Sequence, residues 1–233
     1  MRLDKFIAHA TGLSRSEVKK QLKAQAIRVN EQVVPQGAMI LGKDDRVTFN
    51  QQPLSIAPPR YFMLYKPAGV VCANSDAEHP TVIDLIKESQ SDSLQIAGRL
   101  DKDTTGLVLL TDDGQWNHQL TAPARGKSKT YQVRTAEALT PALVETFAQG
   151  ILLKGEKSPC RPAKLHIHTN HSASLIITEG KYHQVKRMFA ACGNKVTALH
   201  RSAIGALHLD PTLAPGDYRP LSAEELDLLD QTP

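Results

Sequence analysis

Cysteine, aromatic side chains and long apolar runs are all scarce in this chain. The three cysteines, Cys72, Cys160 and Cys192, are far apart and form no Cys-x-x-Cys pair. Neither a disulfide framework nor a cysteine zinc site is expected. That usage fits a reducing, cytoplasmic compartment. Aromatics are 5% of the residues, too few for a broad single-strand stacking platform. No apolar run approaches the roughly 18–20 residues that span a bilayer. The start, Met1-Arg2-Leu3-Asp4-Lys5-Phe6, has an early acid and no apolar stretch after it, unlike a signal peptide. No membrane partner is expected. A Walker loop, a dinucleotide fingerprint and a serine nucleophile elbow are also missing. His166 and His168 share a strand face but have no third ligand in view, so no metal is expected.

What is present fits a soluble globular protein: 233 residues, 41% hydrophobic and 22% charged, enough for one large domain or an ordinary domain plus a small one. The net charge of +4 is unevenly spread. Met1–Ala57 carries nine Lys/Arg against five Asp/Glu, whereas Asp210–Pro233 carries six acids and one base. Basic clusters of this kind suit a polyanion partner or a solvated face.

The first 57 residues read as a small helical unit with short strands. Leu3, Phe6, Ile7 and Ala10 recur at helical spacing until Gly12 breaks the pattern. Ser14-Arg15-Ser16-Glu17 is a capping box that opens a second helix. Val18 and Leu22 lie on its apolar side, and Arg15, Lys19 and Lys23 form a basic row about 90° away. That row can follow a phosphate backbone or simply face water. Ile27-Arg28-Val29 and Val33-Val34 predict a hairpin, and Arg46–Phe49 a further strand. Gln51–Pro59, with three prolines, reads as the interdomain linker.

From Arg60 onward strands and helices mix. Strands are expected at Tyr61–Tyr65, Leu107–Leu110, Lys129–Arg134 and Leu175–Thr178. Helices are expected at Val82–Glu88, Gln115–Thr121 and Tyr182–Cys192, the last ended by Gly193, and a final acidic helix is capped by Ser222-Ala223-Glu224-Glu225. The order is not a strict βαβ alternation, which points to an α+β fold.

Three segments carry candidate chemistry. Gly98-Arg99-Leu100-Asp101-Lys102-Asp103-Thr104-Thr105-Gly106-Leu107 packs four charges and two threonines between apolar flanks. In an extended segment Arg99 and Asp101 point to one side, and a nearby cation favours an ionised carboxylate. Asp103 can instead bond its own loop. A charged surface turn explains the run equally well. In Glu179–Met188, a helix would set His183, Lys186 and Arg187 at i, i+3 and i+4, a basic patch able to hold a phosphate or carboxylate, or a solvated face. Tyr131, between Lys129 and Arg134, can pack in the core or stack on a base.

Together these segments resemble the pseudouridine synthases. The Gly98–Leu107 run is similar to their central motif, Lys129-Thr130-Tyr131 to the tyrosine motif, Glu179–Met188 to the third motif, and Lys66-Pro67-x-Gly69 to the opening lysine-proline element. They occur in the family's order over roughly Arg60 to Arg219. The N-terminal 57 residues resemble an S4 domain, a small RNA-binding module. The resemblance implies a catalytic domain over 60–233 with a mixed, largely antiparallel sheet flanked by helices. It implies isomerisation of a uridine in RNA to pseudouridine, without cofactor. Asp101 would be the nucleophile or general base, Tyr131 would stack on the base near C5, and Lys186 would pair with Asp101 and hold its charge. Arg187 is a second cation available for that pairing. Arg99 and Thr105 would shape the loop. Arg15, Lys19 and Lys23, with Lys5 and Arg28 nearby, would make phosphate contacts.

Thr111-Asp112-Asp113-Gly114-Gln115-Trp116, His183-Gln184-Val185-Lys186-Arg187 and the compact acidic C-terminus resemble the branch acting on small-subunit (16S) rRNA. That implies ribosomal RNA as partner, within a small-subunit assembly particle, and a monomeric enzyme. Large-subunit rRNA, a non-catalytic S4 ribosome-assembly protein and a nucleoside hydrolase using Asp101 are the alternatives.

Overall fold

The computed structural model describes residues 1–56, 58–122 and 125–230. Ala57, the expected last residue of the first domain, lies outside them, as do Gln231, Thr232 and Pro233 at the end of the second. The chain divides into two compact units, Met1–Pro58 and Pro59–Pro233.

The first unit runs α1 (Leu3–Thr11), α2 (Arg15–Lys23), β1 (Ile27–Val29), β2 (Gln32–Val33), β3 (Val47–Phe49) and β4 (Gln52–Leu54). Gly12 ends α1 in the left-handed region at φ 73°, where glycine pays no Cβ penalty. The capping box opens α2 as expected: Ser14 Oγ accepts from Glu17 N at 3.4 Å, and Ser14 N donates to Glu17 Oε2 at 2.8 Å. Leu3, Ile7, Val18, Leu22, Ile27, Val29 and Val47 form one core. Arg15, Lys19 and Lys23 are exposed, as are Lys5 and Arg28.

The expected linker is corrected in its first half. Gln52–Leu54 is a strand that pairs antiparallel with β3 across a turn at Asn50 and Gln51, both at positive φ. Pro53 hid it, because proline argues against a strand. β4 is last in the order β2-β1-β3-β4, and an edge strand tolerates a missing N–H.

The second unit runs β5 (Tyr61–Lys66), β6 (Gln95–Ala97), β7 (Thr105–Thr111), α3 (Gly114–Thr121), β8 (Lys129–Thr135), α4 (Ala142–Gln149), β9 (Lys164–Thr169), β10 (Ser172–Ile177), α5 (Gln184–Ala191), β11 (Val196–Ile204), β12 (Leu207–His208), β13 (Tyr218–Pro220) and α6 (Ala223–Asp230). Among the described residues its sheet has nine strands in the order β13-β5-β7-β11-β8-β10-β9, with β6 beside β7 and β12 beside β11. Among these strands only the β7–β11 pairing is parallel. The fold is therefore α+β with a mixed, largely antiparallel sheet.

Alternation divides the side chains between two cores. Phe62, Leu64, Val108, Leu110, Tyr131 and Val133 pack on one face with Phe147 of α4 and Val185, Met188 and Phe189 of α5. Met63, Leu107 and Leu109 pack on the other with Leu120 of α3 and Leu229 of α6. Central strands covered on both sides read as continuous apolar runs, which is why β5 and β7 are plain in the sequence.

Two expected helices change. Val82–Glu88 forms turns, not a helix. Thr81 and Asp84 bond each other's backbone amides at 2.7 and 3.2 Å, closing one turn, and Ile86 N bonds Ile83 O in a second tight turn. The Tyr182–Cys192 helix begins two residues later, at Gln184. Its end is as expected. Asn194 N bonds Phe189 O and Gly193 N bonds Ala190 O, the paired closure that a left-handed glycine permits.

Candidate active site

Asp101 sits in the loop joining β6 to β7, and side chains from three other segments hold that loop. Lys66, fully buried at the end of β5, donates to the carbonyls of Pro67, Lys102 and Thr104 at 3.0, 3.1 and 2.7 Å. Burial pushes its ammonium pKa down. Arg201 of β11 is also buried; its Nη2 donates to Gly98 O at 2.6 Å and its Nε to Leu107 O at 2.8 Å. Leu100 N bonds Cys72 Sγ at 3.3 Å, and Gly69 N bonds Lys102 O at 2.8 Å. Gly106 adopts φ +109°, and a Cβ there would lie 2.2 Å from Arg201 O. The glycine thus lets β7 and β11 approach in parallel at Arg201↔Gly106.

The loop presents Asp101 to two partners. Oδ2 lies 3.0 Å from Lys186 Nζ, and Oδ1 lies 3.4 Å from His183 Nε2. Lys186 also bonds Asp103 Oδ1 at 2.5 Å. Burial opposes the Lys186 ammonium, but its bonds to Asp103 and Asp101 outweigh it and its pKa is raised. The hydrogen bond from Lys186 lowers Asp103.

Asp101, His183 and Lys186 line a cavity of about 820 Å³ with Lys102, Thr104 and Tyr131, a size suited to a nucleotide-sized ligand. Tyr131 is buried in mid-sheet, opposite Leu175 on one side and Arg201 on the other. Alternation along β8 gives Lys129 and Tyr131 one face, and both reach the cavity. Burial, with Arg201 nearby, pushes Lys129 down to about 8. The Thr104 hydroxyl, also buried at the cavity, has no hydrogen-bond partner among the described residues.

Several sequence expectations are corrected at this site. Arg99 is exposed, lines the cavity and makes no ion pair or hydrogen bond among the described residues; the cation beside Asp101 is Lys186, the pairing that the resemblance implies. Thr105 bonds His200 Nδ1 at 2.9 Å, while Lys66 and Arg201 hold the loop. Asp103 pairs with Lys186. Arg187 turns away to Glu156 Oε1 at 3.1 Å and to the carbonyls of Lys154 and Tyr182 at 2.8 and 3.0 Å. His183 is outside the helix, in the left-handed region at φ 47° and ψ 35°. That backbone costs a non-glycine residue about 1 kcal/mol or more. His183, Lys186 and Arg187 therefore do not form one helical patch.

Arg201 was missed because Thr197, His200 and Ser202 interrupt the apolar pattern of β11. The available signal was the alternation Leu199, Arg201, Ala203, all three buried. His166 and His168 lie on β9, where His168 Nε2 contacts Ser174 Oγ at 2.6 Å. Among the described residues no group of three or more His, Cys, Asp or Glu side chains is placed to hold a metal ion.

The RNA pseudouridylate synthase family model matches residues 60–191, and the S4 domain model matches residues 1–47. The chain is 47% identical to the ribosomal small subunit pseudouridine synthase A of Haemophilus influenzae over 230 residues, covering 98% of this chain and 99% of that protein. It is also 47% identical to the protein of that name from Escherichia coli (strain K12), with 97% and 98% covered. A crystal structure of a pseudouridylate synthase matches with a TM-score of 0.72 at 46% identity, over 98% of this chain and 99% of that one. A matching catalytic family model, an S4 match and near-complete coverage by close relatives agree: the chain belongs to the RNA pseudouridylate synthase family.

Proposed function

We propose that the protein isomerises a uridine of small-subunit (16S) ribosomal RNA to pseudouridine, with Asp101 as the carboxylate at the reacting sugar. The observation that carries this reading is the Asp101–Lys186 contact in a cavity shared with Tyr131. The reaction breaks N1–C1′, turns the uracil and joins C5 to C1′. N1 gains a proton and C5 loses one, so there is no redox step and no net hydrolysis. Asp101 acts as covalent partner or counter-charge at C1′. Lys186 and His183 hold its two oxygens in place. Tyr131 stacks on the uracil near C5. A duplex hides the base, so the uridine enters flipped out or from an unpaired segment.

In this reading residues 1–57 form the RNA-binding module and 60–233 the catalytic domain. Exposed Arg15, Lys19 and Lys23, with Lys5 and Arg28, give the module sequence-independent phosphate contacts. The substrate is rRNA within a small-subunit assembly particle, and the enzyme works as a cytoplasmic monomer. The small-subunit relatives support the choice of rRNA. No helix among the described residues is long and apolar enough to cross a membrane.

The test is tritium release from C5-labelled uridine in rRNA, paired with pseudouridine mapping in rRNA from a strain lacking the protein. One pseudouridine should vanish from 16S rRNA and return with the gene. Loss confined to large-subunit rRNA, or binding without tritium release from any rRNA or subunit particle, would sink the proposal.

A further inference from the structure

We infer that Tyr182 and His183 form a stacking subsite for the nucleobase next to the target uridine. The inference rests on the RNA-isomerising reading above and adds a positioning residue to it. Tyr182 is 77% exposed, an unusual position for a large ring. It nevertheless packs against its neighbour: the Tyr182 and His183 rings stack at 3.8 Å with an interplanar angle of 21°. Consecutive side chains diverge by about 100° on a helix and point to opposite faces on a strand. The left-handed backbone at His183 is what departs from both patterns.

Polar contacts fix the segment on either side. Lys181 N donates to Gln184 Oε1 at 2.8 Å, and the Tyr182 carbonyl accepts from Arg187 Nη1 at 3.0 Å. Both rings line the cavity, and His183 Nε2 reaches Asp101 Oδ1. The stack therefore begins beside the reacting carboxylate and ends on an exposed tyrosine ring. Flipping a uridine out of a strand unstacks its neighbours. Any base offers a π-face to an aromatic platform. An exposed ring beside the flipped nucleotide can replace the lost stacking partner, and so favours the flipped state.

The test uses the full-length protein and a 16S rRNA fragment centred on the mapped uridine. Tritium release is compared with fragments carrying an abasic nucleotide 5′ or 3′ of that uridine. On the intact fragment Tyr182→Ala should raise KM about tenfold, a stacking-sized effect, and leave kcat within about twofold. Tyr182→Phe should stay within about twofold of wild type, and Tyr182→Leu should behave like Tyr182→Ala. On one abasic fragment wild type and Tyr182→Ala should show the same KM. An unchanged KM on the intact fragment would overturn the inference. So would a KM penalty that persists on both abasic fragments. A fall in kcat on all fragments alike would assign Tyr182 to holding His183 and reject the base contact. Activity confined to small-subunit particles assembled on these rRNAs would move the same comparisons to the particles; wild type inactive both on the intact fragment and on such particles would overturn the functional reading together with this one.

Discussion

Lys186 Nζ lies 3.0 Å from Asp101 Oδ2, joining helix α5 to the loop between β6 and β7. One ammonium serves two carboxylates, since Asp103 Oδ1 also bonds it. The arrangement separates two roles. Asp101→Asn should reduce tritium release by on the order of 10⁴-fold, as loss of a member of a catalytic unit does. Lys186→Gln should reduce kcat by about 100-fold, comparable to removing one preorganised donor. Both variants should keep near-wild-type RNA affinity and melting temperature. Turnover retained by Asp101→Asn would remove that residue from its role.

The Gly106–Arg201 approach is a packing constraint with its own signature. Gly106→Ala puts a Cβ into the Arg201 carbonyl and strains a φ of +109°. We expect destabilisation of about 3 kcal/mol or more, or failure to fold. Arg201→Met keeps most of the volume but leaves the Gly98 and Leu107 carbonyls without their donor. Each unpaired buried acceptor costs about 1–3 kcal/mol. Thermal denaturation measures both variants. A Gly106→Ala melting temperature equal to wild type would contradict the close approach.

Lys129 gives a pH-dependent prediction. Burial first, then Arg201, lowers its pKa to about 8, against roughly 10.4 in an unfolded chain. Between those values the unfolded state binds more protons, so this group makes stability rise with pH. Its unfavourable contribution is fully present below about 8 and gone above about 10.4, and amounts to at most about 3 kcal/mol. Lys129→Met should be more stable than wild type at pH 7, with the gap closing between pH 8 and 10.4. Chemical denaturation across that range measures it; a pH-independent gap would rule the mechanism out.

The exposed row on α2 predicts a change in salt dependence. Replacing Arg15, Lys19 and Lys23 together with glutamine should weaken rRNA binding. It should also make the slope of log K against log salt shallower by about 2, at roughly 0.7–0.9 per phosphate contact. Their side chains are exposed, so folding should be unaffected. An unchanged slope would identify the row as a solvated face.

Much of this protein is written in local patterns. Helical spacing from Leu3 to Ala10, the Ser14–Glu17 box and the Gly193 terminator each act within one turn. Adjacent residues alone specify them, and all three are realised. The apolar runs of β5 and β7 are similarly plain because both faces are covered. Elements that depend on neighbours were harder to read. β4 exists because β3 accepts it at an edge, despite Pro53. β11 carries Arg201 inside the fold because two carbonyls from another strand and its loop await it.

The sequence by itself determined the family and singled out Asp101, Tyr131 and the basic helix of the first unit as candidates. Order and residue type along the chain suffice for those. Tertiary structure decided among the cations the sequence offered Asp101, and it places Lys186 there. Arg99, two residues away, is exposed at the cavity without an ion pair among the described residues, and Arg187, beside Lys186, turns to Glu156. It also decided that buried Lys66 and Arg201 hold the loop, and that Tyr182 stacks on His183 at the cavity. These contacts join segments remote in sequence, or turn on one left-handed residue. Sheet register and a local backbone exception set them, and neither leaves a periodic trace in the chain.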